Sequence, residues 1–287
     1  MVIYNYFEKD GVIMKTGFEL IKDIDDCILE KGDAAFWWLG QLGYVIKMAE
    51  TTIYLDVFLS DWPNRKIPPL LKPAEIVNAD FIIGTHDHPD HIDRDIWHQL
   101  SISSPNAKFV VPKLLTTELS DDLKIPKNRF IGLDDGLSIS EKDLKISAIP
   151  SAHEFLDQDS SGHYPYLGYI IEGNGCTVYH SGDTCMYDGI FSKLRQWDNF
   201  DIMFLPINGR DAKRYRENLI GNITYQEAVD LAGTIKPNLV VPGHYEMFDD
   251  NSENPILFYD YLNAKYPGIK CWIGDHGEMV KICRANR

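Results

Sequence analysis

The sequence predicts a mixed α/β layered fold in a single domain spanning residues 1–287, and three observations lead there. Short runs rich in β-branched and aromatic residues alternate with stretches whose apolar residues recur at three and four. The early β-rich runs follow one another closely, as in hairpins, whereas the later ones are separated by helical stretches, a pattern that builds layers. No repeat, low-complexity tract or Pro/Ser/Gly linker divides the chain.

The elements follow in order. FELIKDIDDCIL spaces Phe18, Ile21, Ile24 and Ile28 as an amphipathic helix, expected on the surface of the fold. In AFWWLG, Trp37 and Trp38 are expected to bury area rather than to form a substrate platform. YVIKM, TTIYLDVF, DFIIGT and AKFVVP then read as strands, and DRDIWHQLS and PKLLTTELS as helices. In the second half LKISAIP, LGYIIEG, CTVYHSG, DIMFLPI, NLVVPGH and KCWIG read as strands, with YDGIFSKLRQW and TYQEAVDLAGTI as helices.

Composition narrows the function classes. Hydrophobic residues at 44% and charged residues at 25% match a soluble globular protein. A formal charge of -15 opposes binding to a phosphate backbone, so no nucleic-acid partner is expected. No long apolar span points to a membrane, and the opening MVIYNYFEKDGVIMK lacks the basic flank and apolar run of a signal peptide. Five cysteines, an odd number with no CxxC pair, suit reduced thiols, and the expected location is the cytoplasm. A small-molecule substrate is the partner this leaves; homo-oligomerisation is not legible.

The chemistry concentrates in THDHPDHID, residues 85–93, which holds three of the nine histidines. TTIYLD ends at Asp56, DFIIGTH at His86, ISAIPSAH at His153, TVYHSGD at Asp183 and LVVPGH at His244. Each predicted strand thus delivers a ligand-type side chain at its carboxyl end, the edge where α/β folds gather functional groups. Extended geometry would put His86 and His88 on one side, and a helix starting after Pro89 would swing Asp90 and His91 to a second position. So many donors exceed the need of one tetrahedral ion. We therefore expect two divalent metal ions, one held by His86, His88 and His153, the other by Asp90, His91 and His244, with Asp183 between them; such donors accept zinc, manganese, iron or nickel alike. Such a pair lowers the pKa of a bound water and yields a hydroxide nucleophile, with Asp90 and His91 expected at the chemistry itself and Asp90 able to shuttle a proton. Asp56 is expected to accept a hydrogen bond from a ligand histidine, and His180 to make a supporting bond or a core contact.

HxHxDH at 86–91, a lone histidine, the SGDT aspartate and the PGH histidine, in that order, resemble the metallo-β-lactamase superfamily of metal-dependent hydrolases. The resemblance implies an αβ/βα four-layer sandwich of two mixed β-sheets flanked by helices, with the metals at one edge. It also implies the same ligand assignment. AFWWLGQLGYVIK, YHSGDT and DIMFLPINGRDAKRYRENLIGNITYQEAVDLA are similar to the L-ascorbate 6-phosphate lactonase branch, a likeness that implies manganese where the superfamily at large implies zinc. The opening motif, a third-motif histidine and the GDT run are also shared with a lipid phosphodiesterase branch.

The expected function is therefore hydrolysis of a lactone or related small carbonyl substrate, phosphorylated or not, with a phosphodiesterase and a non-catalytic metalloprotein as the rivals. In NGRDAKRYRENLIGN, Arg210 and Arg214 beside Asn208 could clamp a substrate phosphate or form a solvated turn, and Tyr245 could contact substrate. His98 is expected on a helix surface or at a cap, and His276 in a hairpin turn.

Overall fold

The structure, a computed structural model, describes residues 14–283, so most of the opening stretch read for a signal peptide lies outside the described residues. Its first half runs α1 (Gly17–Asp26), β1 (Ala34–Gly40), β2 (Gly43–Met48), β3 (Thr51–Leu55), β4 (Phe81–Ile83), α2 (Arg94–Ser103), β5 (Lys108–Pro112), α3 (Thr116–Leu123) and β6 (Phe130–Leu133). The second half supplies β7 (Ser138–Glu141), β8 (Leu144–Pro150), β9 (Leu167–Gly173), β10 (Cys176–His180), α4 (Ile190–Leu194) and β11 (Ile202–Pro206). It continues through α5 (Ala212–Arg216), α6 (Tyr225–Ile235), β12 (Leu239–Gly243), α7 (Pro255–Lys265), β13 (Lys270–Cys271) and β14 (Met279–Ile282).

Two seven-stranded sheets result, ordered β14-β1-β2-β3-β4-β5-β6 and β13-β12-β11-β10-β9-β8-β7. Both are mixed: β1, β2 and β3 pair antiparallel and β3 to β6 parallel, while β7 to β10 pair antiparallel and β10 to β13 parallel. Period-two alternation sorts each strand between two cores. From β1, Phe36 and Trp38 enter the cluster shared by the two sheets, whereas Ala35, Trp37 and Leu39 enter the cluster beneath α1, α2 and α3. The shared cluster continues through the second sheet to α4, α6 and α7, giving helix, sheet, sheet, helix. This is the metallo-β-lactamase fold of two mixed sheets flanked by helices, and no described helix is long and apolar enough to cross a membrane.

Two expectations about helices change. The buried stripe of α1 is Leu20, Ile21 and Ile24, while Phe18 and Ile28 are 71% and 84% exposed, because α1 stops at Asp26 and turns only one narrow face to the sheet. Burying each of those three side chains contributes about 1.5–3 kcal/mol. The helix expected to begin after Pro89 starts only at Arg94. Residues 85–92 instead form a chain of bends and turns, in which His88 N–H donates to the His86 carbonyl and His91 and Ile92 N–H donate to that of His88. His276 does lie in a turn, but that turn joins β13 of one sheet to β14 of the other, so it closes no hairpin. The ring is buried and stacks on Trp38 at 3.9 Å.

Candidate metal centre

Every donor of the centre leaves the carboxyl end of a strand, as the sequence predicts, but the backbone devices differ from strand to strand. After β4 the chain passes Gly84, where a Cβ would lie 2.3 Å from Ile92 Cγ1, so only glycine lets the motif loop fold back over itself. His86 and His88 then meet through tight turning rather than through extension: His86 Nε2 and His88 Nδ1 are 3.0 Å apart. Between them Asp87 points outward into a two-bond pair with Arg94, which also engages Glu118 and Asp122. That pair fixes the loop from outside.

After β10, Gly182 takes φ +58°, and a Cβ there would meet Leu167 O at 2.7 Å and Thr85 Cβ at 2.9 Å. A left-handed glycine in close contact thus presses Asp183 against the motif loop. His244 follows β12 with φ +61° and donates its N–H to the Gln41 carbonyl at 2.8 Å. His153 follows β8 and is buried.

These side chains converge in three overlapping groups whose ligand atoms lie within 4.8 Å of one another: His86, His88 and His153; His86, His91 and Asp183; Asp90, His91 and His244. Asp183 faces all three groups, with Oδ1 at 3.4 Å from His91 Nε2 and Oδ2 at 3.3 Å from His244 Nε2 and 3.7 Å from His153 Nε2. Asp90 Oδ2 lies 3.5 Å from both His91 Nε2 and His244 Nε2.

Asp56 closes β3 with φ +48° and is fully buried. Its Oδ2 accepts from the Thr85 hydroxyl at 2.7 Å and lies 2.6 Å from His91 Nδ1, and its Oδ1 accepts from Thr85 N–H at 2.8 Å. A proton on His91 Nδ1 leaves Nε2 facing the centre. His180 is also fully buried, its Nε2 donating to the Leu42 carbonyl at 2.8 Å and its Nδ1 accepting from Gly182 N–H, and it stands 4.0 Å from Asp56.

Electrostatics divide the centre. Burial drives His86 and His88 below the ordinary imidazole range and His153 down to about 4, so all three offer lone pairs at neutral pH. Burial alone would lower His91 and His244 too. The carboxylates of Asp90, Asp183 and Asp56 instead carry His91 well above its usual range, and Asp183 and Asp90 bring His244 to about 9. In return, and against their own burial, Asp183 and Asp90 are held below the usual carboxylate range by those imidazoles.

The residues fit a divalent cation. His91 Nε2 and Asp183 Oδ1 are buried without a hydrogen-bond partner, at separations too long for a hydrogen bond and suited to a shared ion. Unsatisfied buried polar atoms are costly, and here they face one another across a donor set of imidazole and carboxylate, which suits zinc and manganese alike.

The residues expected at a substrate phosphate are placed otherwise. Arg210 makes a two-bond pair with Glu227 and donates to the Asn222 carbonyl. Arg214 donates to the carbonyls of Asn208, Asp250 and Ser252. Asn208 is buried between Asn251 and Asn222, and Tyr245 is buried 4.8 Å from Trp38. Protein groups thus engage the polar ends of Arg210, Arg214 and Asn208, where a ligand's phosphate was expected. Trp37 and Trp38 are both fully buried, and exposed His98 receives no role beyond its ring lying 2.8 Å from the Leu123 carbonyl at the end of α3.

Two residues at the centre escaped sequence reasoning. Gln41 donates to Asp90 Oδ2 at 3.2 Å from the turn between β1 and β2, where Gly40 and Gln41 both have positive φ. The glycines flanking it in LGQLG were the available signal. Thr85 opened the motif in plain view, but nothing in its residue type marks it as the link between Asp56 and the imidazoles.

Comparison with known proteins agrees with this geometry. The family model described as beta-lactamase superfamily domain matches residues 51–245. A UPF0173 metal-dependent hydrolase of Sulfolobus acidocaldarius is 30% identical over 85% of this chain and 98% of its own length. One from Caldivirga maquilingensis is 25% identical over 85% of this chain and 96% of its own. Among solved structures, Igni18, a metallo hydrolase of Ignicoccus hospitalis, superposes with a TM-score of 0.69 at 20% identity, covering 87% of this chain and 98% of that one.

Proposed function

The chain belongs to the metallo-β-lactamase superfamily and its UPF0173 family of metal-dependent hydrolases, and from that premise we propose that it opens a lactone or a related small carbonyl substrate at a dinuclear centre. The observation that carries this reading is the convergence of three donor groups, contributed by four strand ends, on one set of unpartnered buried atoms. His86, His88 and His153 would hold one ion, Asp90, His91 and His244 the other, with Asp183 between them. Bound there, such ions lower the pKa of water and polarise the oxygen under attack.

The chain's own groups do the rest. Asp56 and Thr85 set the tautomer of His91, so that its Nε2 rather than its Nδ1 faces the reaction. Gln41 fixes the Asp90 carboxylate, which is partly open to solvent and lines the side from which a substrate would enter. The lactone class rests on the likeness of AFWWLGQLGYVIK and YHSGDT to the lactonase branch. A cytoplasmic location accords with five free cysteines, four of them buried.

The test is elemental analysis of protein purified without added metal, together with turnover of sugar-acid and aryl lactones and of bis(p-nitrophenyl) phosphate. Two zinc or manganese ions per chain and a preference for lactones are expected. A preference for the phosphodiester would replace the lactone reading, and bound metal with no turnover of either class would favour a non-catalytic metalloprotein.

A further inference from the structure

The strap of residues 57–66 after β3 and the segment after β12 enclose a cavity of about 300 Å³ beside the centre. That volume sits at the small end of ligand pockets. Asp90 and Gln41 line it on the side of the centre, and Phe58, Trp62, Leu219 and Phe248 form apolar walls. Phe58 is buried edge-on to Trp62, with ring centres 5.6 Å apart, and 6.4 Å from Phe248. Trp37, Trp38, Trp97 and Trp272 are all buried, but Trp62 is 42% exposed. An indole left open in a ring-lined cavity offers a stacking face.

Charge sharpens the picture. Among the described residues lining the cavity the charged ones are Asp90 and Asp250, both acidic, and no lysine or arginine lines it. Arg65 stacks on Phe58 at 4.9 Å and donates through Nε and Nη1 to the carbonyls of Phe58, Ser60 and Ile67; its Nη2 is buried, and neither it nor Arg214 lines the cavity. With Asp90 committed to the metal centre, an anionic group seated against the aromatic walls would lose hydration beside Asp250 and meet no lysine or arginine in the lining.

The walls are also set in advance. Asp93, at the end of the motif loop, accepts from Leu59 N–H at 2.9 Å, Ser60 N–H at 2.8 Å and the Ser60 hydroxyl at 2.6 Å. Lys66 N–H donates to the Met247 carbonyl at 2.8 Å on the far side. The strap is thereby tied to the metal-binding loop, and little ordering is left for a ligand to induce.

We propose that this cavity seats an uncharged, ring-bearing part of the substrate, so that the enzyme selects neutral aryl or cycloalkyl lactones over phosphorylated sugar lactones. The inference rests on the hydrolase reading of the adjacent centre. Its test compares dihydrocoumarin with 6-phosphoglucono-δ-lactone on the metal-loaded protein, and measures benzyl alcohol binding by calorimetry in the wild type, Trp62→Ala and Trp62→Phe. Dihydrocoumarin is expected to show at least about tenfold higher kcat/KM, with Trp62→Ala raising its KM about fivefold at nearly constant kcat and Trp62→Phe recovering most of the loss. Preference for the phosphorylated lactone, or an unchanged KM in Trp62→Ala, overturns the proposal while leaving a hydrolase. Should no lactone be turned over, the lactone reading fails alone, and the cavity is judged by benzyl alcohol: saturable binding weakened in Trp62→Ala upholds it, and absence of binding overturns it.

Discussion

The loop at 85–93 and the segment at 208–227 each follow the end of a parallel strand and each concentrate polar side chains, yet they end in opposite states. In the second, Arg210 and Arg214 find a carboxylate and backbone carbonyls and Asn208 finds two amides, leaving Asn222 Oδ1 as a buried oxygen without a hydrogen-bond partner but with no group of metal donors around it among the described residues. In the first, His91 Nε2 and the facing Asp183 Oδ1 are buried, stand 3.4 Å apart and form no hydrogen bond. A polar cluster serves the fold when its members satisfy one another and serves a ligand when they cannot. Sequence composition gives the two clusters equal standing; only the partner accounting separates them.

That contrast can be broken in four ways. The largest effect belongs to Asp183→Asn, which removes the charge facing all three donor groups. Activity should fall at least about 10³-fold and metal content with it while circular dichroism is unchanged; an active, metal-replete variant would dissolve the distinction.

His276 tests whether an orphan atom suffices on its own. Its Nε2 is also buried and unpartnered, yet no group of metal donors forms around it among the described residues. Burial, reinforced by the charge of Arg65, brings this imidazole down to about 4, against about 6.5 in the unfolded chain. The stability it supports is complete at neutral pH and is lost as pH falls through 6.5 towards 4, where the unfolded chain takes up the proton first, by about 3 kcal/mol. Denaturant titrations between pH 7 and pH 4 should show that loss, and His276→Phe should shrink it without changing metal content.

Asp56→Asn comes third. It weakens the hold on His91 Nδ1 without removing a proposed ligand, so metal affinity should drop roughly 10- to 100-fold, as read by chelator competition. The smallest effect is expected from Arg210→Ala, whose pair with Glu227 is partly exposed: about 1 kcal/mol of stability by denaturant melt, with lactone KM unchanged. A raised KM for a phosphorylated lactone alone would return this segment to the ligand side of the comparison.

Legibility followed local physics. The strand runs and the donors at their ends could be read because alternation and residue type are properties of a few neighbouring positions. The route by which His86 and His88 meet could not, since turns and strands both bring residues two apart into reach and the choice depends on Gly84 packing against Ile92. Helix α7, PILFYDYLNAK, went unread because its apolar residues are spread around the axis rather than gathered in a stripe, and β7, SISE, because it is short and polar except at Ile139. The cavity walls come from segments without regular structure at 58–62, 219 and 248, and no periodicity announces those.

The pairing of β14 with β1, Ile282 opposite Ala34 and Met279 opposite Trp37, has a bearing on how the protein is made. A ribosome releases the first six strands of that sheet long before the seventh, so the edge at β1 waits unpaired until the whole second sheet has been made, open to chaperones and to neighbouring nascent chains. The last histidine of the centre, at 244, follows β12. Cation capture can then be completed only after both sheets have largely formed.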